Sequence, residues 1–225
     1  MWAWIAKPHT TALKPYAADA NLDTFLRQAK GVIHVGANSG QERDCYRGLG
    51  LPVIWVEAMA EVFDQLVSNI ADYPNQRAFC ALLTDRDNVE YDFHIASNHG
   101  ASSSILPLAL HRDIWPNVTY VATRRLRSTT LATLFQRENL SPVQYPTLIM
   151  DVQGAELMVL KGAGSLIQNF RFVKAEAADF ESYAGGARLN QLQVYLREFG
   201  FRELARRPFA RRAEGGTYWD VVWQR

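Results

Sequence analysis

The sequence predicts an α/β protein: a three-layer sandwich with a seven-stranded, mostly parallel sheet whose last strand is antiparallel. Three observations lead to this class. Short apolar runs alternate with segments of helical spacing along most of the 225 residues. The first runs are apolar on both faces, as in parallel strands buried between helices. The last two runs follow one another without a helix between them, which is typical of a hairpin.

The elements follow in chain order. After an irregular lead-in over residues 1–20, apolar spacing predicts a helix over residues 21–30. Five apolar runs predict parallel strands, which cover residues 31–35, 52–56, 77–83, 147–150 and 170–175. The helical patterns between and after them lie at about 41–48, at 60–70, from about 155, and at 189–199. Gly200 follows the last of these, where a glycine commonly ends a helix.

The segment of about 84–128 is predicted as an insertion within a single domain over residues 21–225. Turn residues at 85–88 separate the apolar residues 81–84 from an alternating run at 89–95. This arrangement predicts a hairpin between the two runs.

Further elements complete the insertion and the end of the chain. Residues 98–104 form a polar loop without periodicity, and 119–127 alternate like a strand. Thr129 or Thr130 could cap a short helix that reaches Glu138. Runs at 201–204 and 218–223 predict the final hairpin, which would close the sheet with an antiparallel edge.

Composition and charge narrow the functional classes. The chain is 48% apolar with a net charge of +1, which excludes bulk disorder and gives no reason to expect a nucleic-acid or membrane partner. Arginines form two clusters: Arg124, Arg125 and Arg127, and Arg206, Arg207, Arg211 and Arg212. A solvated basic face is the favoured interpretation of both clusters, and binding of an anionic substrate is the alternative. Cys45 and Cys80 lack CxxC partners, so free thiols in the cytoplasm are expected.

The N-terminal stretch is not expected to be a targeting segment. Its apolar start is broken by Lys7, Pro8 and Pro15, which leaves no long apolar region of a signal peptide. No run approaches the length of a transmembrane helix.

The first strand-to-helix turn, in the stretch VIHVGANSGQERDCY from Val32, indicates the ligand class. Gly36 and Gly40 give a G-x-x-x-G turn, in which Asn38 takes the place of the second glycine that a bound pyrophosphate needs. No Gly-Lys-Ser/Thr follows, so a P-loop is excluded. Backbone N–H groups at a helix start would suit a carboxylate. The alternative is that both glycines only permit tight packing of strand and helix.

Glu57 supplies the second indication. It lies 21 residues after Gly36, at the end of the second strand, where an acidic residue can accept both hydroxyls of a ribose. A ribose acceptor beside a glycine turn without a phosphate cradle points to S-adenosylmethionine, which has a ribose, an adenine and an amino-acid tail but no phosphate.

Four segments together resemble the FkbM family of S-adenosylmethionine-dependent methyltransferases. They are HVGANSGQE at 34–42, VEA at 56–58, the N-x-G-x-S-S pattern at 98–103, and LIMDVQGAELMVLKGA at 148–163. TTLATLF at 129–135 also resembles a family segment, although Ala132 replaces its usual acidic residue. The resemblance covers about residues 31–205, and its most specific part is Asp-x-Gln-Gly-x-Glu. His34 departs from the family, which often carries Asp there.

The resemblance implies a class I methyltransferase sheet ordered 3-2-1-4-5-7-6, and methyl transfer to oxygen, often a hydroxyl of a sugar or natural product. On this basis the cofactor would contact seven residues besides the catalytic candidates: His34, Gly36, Asn38, Gly40, Glu57, Ala58 and Ser103. A hydrogen-bonded structural role is the favoured interpretation of His34. The serines 102–104 could bind the methionine tail or simply form turns.

The catalytic candidates lie at strand ends and in the polar loop. Asp151 ends the fourth parallel strand and could accept the acceptor's proton, orient the acceptor or help to hold the cofactor. Glu156 could reach the same cleft or only cap its helix. His99 is a second candidate base, whereas His94 is expected at the surface. Glu176 and Asp151 end adjacent strands, but no metal site is predicted.

Several questions stay open at the level of sequence. Residues 178–187 combine aromatic residues, carboxylates and a glycine pair, as in an acceptor-binding lid or an ordinary loop. The main hypothesis is O-methylation of a small-molecule or glycan acceptor. A nucleotide-sugar or NAD enzyme on a similar sheet and a non-catalytic cofactor-binding module are the alternatives. The sequence names neither the acceptor nor the oligomeric state.

Overall fold

A computed structural model describes residues 22–225, so the predicted lead-in over residues 1–20 lies outside the described residues. Ten strands are present in this part of the chain: β1 Val32–Val35, β2 Val53–Glu57, β3 Gln76–Cys80, β4 Leu82–Leu83, β5 Glu90–Ala96, β6 Tyr120–Thr129, β7 Thr147–Met150, β8 Phe172–Ala178, β9 Arg202–Arg211 and β10 Thr217–Gln224. The α-helices are α1 Arg43–Gly48, α2 Ala60–Asn69, α3 Leu131–Arg137, α4 Glu156–Gly162 and α5 Leu189–Glu198.

The main sheet has seven strands in the order β3-β2-β1-β7-β8-β10-β9. Renumbered within this sheet, the order is the 3-2-1-4-5-7-6 that the resemblance implies. Strands β3, β2, β1, β7 and β8 pair in parallel, and β10 runs antiparallel to both of its neighbours. The predicted final hairpin and antiparallel last strand are therefore confirmed: β10 lies between β8 and β9, and β9 is the edge strand.

Helices cover both faces of this sheet because its central strands are apolar on both sides. On β1, Ile33 and Val35 face a core that also contains residues of α3, α4 and α5. Val32 faces the opposite core, which includes residues of α1 and α2 and the buried Phe25 and Leu26. The sandwich therefore has the three predicted layers.

A second, three-stranded sheet corrects the predicted hairpin in the insertion. Its order is β4-β6-β5, so β6 separates the two runs that were expected to pair. The reason lies in β6, which is long enough to bind β5 antiparallel along its length and β4 in parallel at its end. The turn at 85–88 also bonds to β6, through Asn88 N–H to the Ser128 carbonyl at 2.9 Å.

Two other expectations need correction. The helical pattern at 21–30 forms only a 3-10 helix, Thr24–Gln28, because Ala29 already has an extended backbone, with φ of −70° and ψ of 147°. The predicted third strand is divided at Ala81, whose N–H donates to the Glu57 carbonyl at 2.9 Å. The first part becomes β3 and the second part, β4, joins the other sheet.

The helix ends agree better with expectation. Thr130 caps α3 by accepting a hydrogen bond from Thr133 N–H at 3.1 Å. Asp87 places a carboxylate at the same helix start, where it accepts the Thr130 N–H at 2.7 Å. Gly200 follows α5 with φ of +84°, the left-handed conformation that favours glycine.

The surface also bears on the sequence analysis. Both cysteines are unpaired thiols, Cys45 in α1 and Cys80 in β3. The exposed Arg125 contacts Glu90 and Asp92, and Arg207 contacts Asp220, so members of both arginine clusters contact carboxylates. Within residues 22–225, no helix combines the length and the apolar composition needed to cross a bilayer.

Candidate active site

A cavity of about 910 Å³ opens at the carboxyl ends of β1, β2, β7 and β8. Strand order reverses at β1, which has β2 on one side and β7 on the other, and open α/β sheets bind ligands at such a point. The turn after β1, the end of β2, the polar loop and the ends of β7 and β8 all contribute to its wall. Of the predicted residues, those that line it are His34, Gly36, Asn38, Glu57, Ala58, His99, Ser103 and Asp151.

The glycine turn is closed by its own hydrogen bonds. Gly36 has φ of +76°, and a Cβ there would lie 2.0 Å from the Asp151 carbonyl oxygen, so only glycine fits. The N–H groups of Gly36 and Ala37 both bond to the Val56 carbonyl, and Gly40 N–H bonds to the Ala37 carbonyl. Ser39 N–H bonds to the side chain of Asn38 at 2.7 Å.

The remaining N–H group, that of Asn38, binds Glu57. Among residues 36–40, the turn therefore offers the expected carboxylate no unpaired N–H group. Its donors are already paired within the protein. Gly40 itself is not part of the cavity wall. A Cβ there would lie 2.7 Å from a methyl carbon of Leu66, so the structure gives Gly40 a packing role against α2.

Glu57 ends β2 with its carboxylate almost completely buried. Its two oxygens accept the N–H groups of Asn38 and Met59, each at 2.9 Å. Burial raises the pKa of Glu57, and these hydrogen bonds oppose the rise. Each carboxylate oxygen can accept more than one hydrogen bond, so both retain capacity for a donor in the cavity.

His34 is a hydrogen-bonded histidine with one edge on the cavity. Its Nδ1 lies 3.1 Å from the Tyr46 hydroxyl, and its ring stacks on Trp55 with 5.0 Å between centroids. Burial, helped by the positive charge of Lys174, lowers the pKa of His34 to about 3. His34 is therefore neutral at physiological pH, and its 4.0 Å approach to Glu42 is not an ion pair.

The inner end of the cavity carries charges that the sequence analysis missed. Lys174 on β8 points to the same face as His34 and pairs with Asp23 at 2.8 Å. Glu42 also lines this end, and burial raises its pKa. The signal for Lys174 was available, since it is a charged residue inside a buried central strand.

Asp151 lies at the end of β7, and its carboxylate accepts a hydrogen bond from Gln153. Gln153 Nε2 donates to Asp151 Oδ1, and Gln153 Oε1 accepts the Tyr183 hydroxyl at 2.6 Å. Gln153 is in a quoted motif but carried no predicted role, and nothing in the sequence indicated that Tyr183 would reach it. Glu176, at the corresponding level of β8, also lines the cavity.

Glu156 does not reach the cavity, which corrects its prediction as a catalytic residue. It is only 2% exposed, and its Oε1 accepts the N–H groups of Val152 and Gly154 at 3.2 Å each. Glu156 thus closes the turn between β7 and α4, the alternative role expected for it. Burial raises its pKa to about 7.

The polar loop at 98–104 folds back on itself beside the cavity. The Asn98 amide bonds to Ser102 through both its oxygen and its nitrogen, and Ser103 Oγ accepts the Ala96 N–H at 3.0 Å. Ser103 lines the cavity but is committed to this turn. His99 is exposed on the cavity wall with φ of +56°, whereas His94 bonds Thr123 away from it.

The residues present fit S-adenosylmethionine. Glu57 offers acceptor positions to a ribose, and Gly36 gives close access to the backbone. The inner end combines an ammonium with carboxylates, as the zwitterionic amino-acid tail requires. The N–H groups of residues 36–40 are bonded within the protein. Within residues 22–225, no group of three or more His, Cys, Asp or Glu side chains is arranged to hold a metal ion.

Comparisons with solved structures concern the fold. M. capricolum TrmK, solved with S-adenosyl-homocysteine, superposes with a TM-score of 0.50 at 4% identity, over 86% of this chain and 61% of that chain. A putative RNA methyltransferase from Pyrococcus horikoshii gives a TM-score of 0.42 at 14% identity, over 86% and 74%. Magnesium protoporphyrin IX methyltransferase from Synechocystis PCC 6803, with bound S-adenosylmethionine, gives 0.45 at 12%, over 85% and 68%.

Comparison with curated proteins finds no match. A family model described as the methyltransferase FkbM domain matches residues 34–203, which include the glycine turn, Glu57, the polar loop and the Asp151 segment. The sheet order is that of class I methyltransferases, and the cavity lies where their cofactor is expected. This chain therefore belongs to the FkbM family of S-adenosylmethionine-dependent methyltransferases.

Proposed function

We propose that the chain transfers a methyl group from S-adenosylmethionine to the oxygen of a hydroxyl group on a sugar, a glycan or a small natural product. The observation that carries this proposal is the position of Asp151. Asp151 lines the cavity, and its backbone carbonyl lies against Gly36 of the glycine turn. A proton acceptor is needed there because an alcohol does not lose its proton readily near neutral pH.

The cofactor contacts are part of the proposal. Glu57 would accept the two ribose hydroxyls, with Ala58 beside it at the end of β2. The tail would extend past Gly36 and Asn38 to the inner end of the cavity, where Lys174 suits its carboxylate. Asp23 and Glu42 suit its ammonium group. This assignment is favoured because the turn itself has no N–H group left for a carboxylate.

S-adenosylmethionine supplies a methyl group on a sulfonium sulfur, which is a good leaving group. The chain therefore has to orient the acceptor, exclude water and take up one proton. The acceptor oxygen forms the new bond to the methyl carbon, and its proton passes to the Asp151 carboxylate. His99 is the second candidate base, because it lines the same cavity.

A small or glycan acceptor is favoured over a nucleic acid by the surface charges. Six of the seven arginines in the two clusters contact neighbouring carboxylates, as Arg125 does with Asp92 at 3.0 Å and Arg212 with Asp113 at 2.8 Å. The seventh, Arg211, bonds the Thr217 hydroxyl. A surface with paired charges provides little of the counterion release that drives binding to nucleic acids. The two unpaired cysteines support a reducing compartment such as the cytoplasm.

The test is methyl transfer from labelled S-adenosylmethionine to a fractionated extract of the cells that produce the protein. Label is expected in small-molecule or glycan fractions. It should be absent with Asp151→Asn, whose binding of S-adenosylhomocysteine should stay within about threefold of wild type (under 0.7 kcal/mol). Label in RNA or protein fractions would contradict the acceptor class. Full transfer by Asp151→Asn would contradict the role of Asp151.

A further inference from the structure

A chain of hydrogen bonds leads from the cavity into the protein interior through Gln153. Its Nε2 contacts Asp151 Oδ1, and its Oε1 lies 2.6 Å from the Tyr183 hydroxyl. Gln153 is only 6% exposed and its backbone is left-handed, with φ of +54°. Ser104 Oγ donates to its carbonyl at 2.8 Å, so the backbone of Gln153 is held as well as its side chain.

The chemistry of the three groups fixes the direction of these bonds. An ionised carboxylate only accepts hydrogen bonds, so the amide nitrogen of Gln153 must face Asp151. The amide oxygen then faces Tyr183, whose hydroxyl must donate. Burial raises the pKa of Tyr183 well above its ordinary value, so this hydroxyl keeps its proton at every pH of interest.

The side chain of Tyr183 is fixed in position by its neighbours. Tyr183 is 1% exposed. A Cβ added to Gly154 would lie 3.0 Å from the Cβ of Tyr183, so the turn after β7 packs closely against Tyr183. Its ring packs on His111 with 5.3 Å between centroids. The adjacent backbone is tied to the insertion, as shown by the bond from Ala184 N–H to the Pro107 carbonyl at 2.9 Å.

We propose that Tyr183 is a positioning residue, which acts through Gln153 to hold Asp151 as an ionised proton acceptor in the active site. The hydroxyl satisfies the amide oxygen only when the amide nitrogen faces Asp151, so it biases the amide toward the orientation that stabilises the carboxylate. Residues 178–187 would then include a fixed support of the site rather than a mobile lid. This inference rests on the proposed role of Asp151 in methyl transfer.

The opposite amide orientation shows why the bias is one-sided. It would present Oε1 to Asp151, which must then be protonated to donate, and would turn the nitrogen toward Tyr183. The Tyr183 oxygen could accept from that nitrogen, but the hydroxyl proton would then have only the Ser102 carbonyl at 3.5 Å, a weak contact. Removing the hydroxyl therefore removes an advantage of the ionised state, and the pKa of Asp151 should rise.

The experiment is a carbon-13 NMR titration of the Asp151 carboxyl, assigned with Asp151→Asn, in the full chain. Tyr183→Phe should raise the titration midpoint by about half a pH unit or more, since one hydrogen bond is roughly equivalent to such a shift. Gln153→Leu, which removes the donor itself, should raise it further. Tyr195→Phe is the matched control, because that hydroxyl contacts the Leu160 carbonyl at 3.5 Å, on α4 and away from the cavity, and it should leave the midpoint unchanged.

An unchanged midpoint in Tyr183→Phe would overturn the proposal, including the case in which only Gln153→Leu shifts it. If Tyr183→Phe does not fold, the wild type still decides. One Gln153 side-chain amide proton should shift with the same midpoint as Asp151, and a pH-independent signal would overturn the proposal. Methyl-transfer rates form a separate arm: if the midpoint shifts but the acid limb of the rate profile does not, the positioning holds and the base role of Asp151 fails.

Discussion

Replacement of Glu57 by glutamine tests the proposed ribose contact most directly. The side chain keeps its size, but one carboxylate oxygen becomes an NH₂ group. Both oxygens accept a backbone N–H at 2.9 Å, so this NH₂ group must face a donor and cannot pair with it. The same change removes the negative charge and one acceptor for a ribose hydroxyl.

The magnitude follows from these contacts. A hydrogen bond to a charged group contributes about 1.5–3 kcal/mol. Glu57→Gln loses one such hydrogen bond to a ribose hydroxyl and weakens the bond to the second hydroxyl. The free energy of binding should therefore become less favourable by about 2–4 kcal/mol. This corresponds to binding that is about 30- to 1,000-fold weaker. Isothermal titration with S-adenosylhomocysteine measures the change without requiring an acceptor.

A matched control separates lost contacts from lost stability. Asp220 on β10 is also a buried carboxylate, 4% exposed, and it pairs with Arg207 at 2.9 Å without lining the cavity. Asp220→Asn should lower the melting temperature and leave the affinity unchanged. The reasoning about Glu57 would be refuted if Glu57→Gln, folded at the assay temperature, bound S-adenosylhomocysteine within threefold of wild type.

Three further predictions concern burial and backbone geometry. Glu156→Gln retains the oxygen that accepts two N–H groups but cannot ionise. Folding raises the pKa of Glu156 from 4.5 to about 7, so the wild type loses stability as the pH rises through this range. In denaturant unfolding, the stability of the variant relative to the wild type should therefore increase by about 3 kcal/mol between pH 4.5 and 7.5. A pH-independent difference would contradict this. Gly36→Ala should fail to fold or lose cofactor binding, since its Cβ would lie 2.0 Å from the Asp151 carbonyl oxygen, whereas Gly48→Ala, with nothing within 4 Å, should fold normally in thermal melts. The nitrogen-15 signals of His34 should remain those of a neutral ring from pH 8 down to about pH 4, and a midpoint near 6.5 would show that the ring is not buried as described.

The arrangement around Asp151 explains why the turn after β7 is so constrained. Glu156 holds its backbone N–H groups, and Ser104 holds the carbonyl of Gln153. Gln153 in turn donates to Asp151. Substitutions in this turn should therefore affect the active site even where the side chain does not touch the cavity.

The sequence by itself determined the parallel core and the place of the site. Runs with two apolar faces can be buried only between two helical layers, so β1, β2, β7 and β8 could be predicted from local pattern. The ends of such strands meet at one edge of the sheet, which is why Gly36, Glu57 and Asp151 were correctly expected to share a cavity. The family motifs gave the strand order that hydrophobic pattern alone does not specify.

Only the tertiary structure decided which partners the polar groups take. The pairing of β6 with both β4 and β5 depends on contacts between distant segments. The turn residues at 85–88 carry no information about such contacts. Contacts between distant segments also decide that Glu156 lies behind the turn after β7 and that Gly40 lies outside the cavity. They likewise pair N–H groups of residues 36–40 within the protein. Lys174, Asp23 and Tyr183 are far from the motifs in sequence, and folding alone brings them to the site.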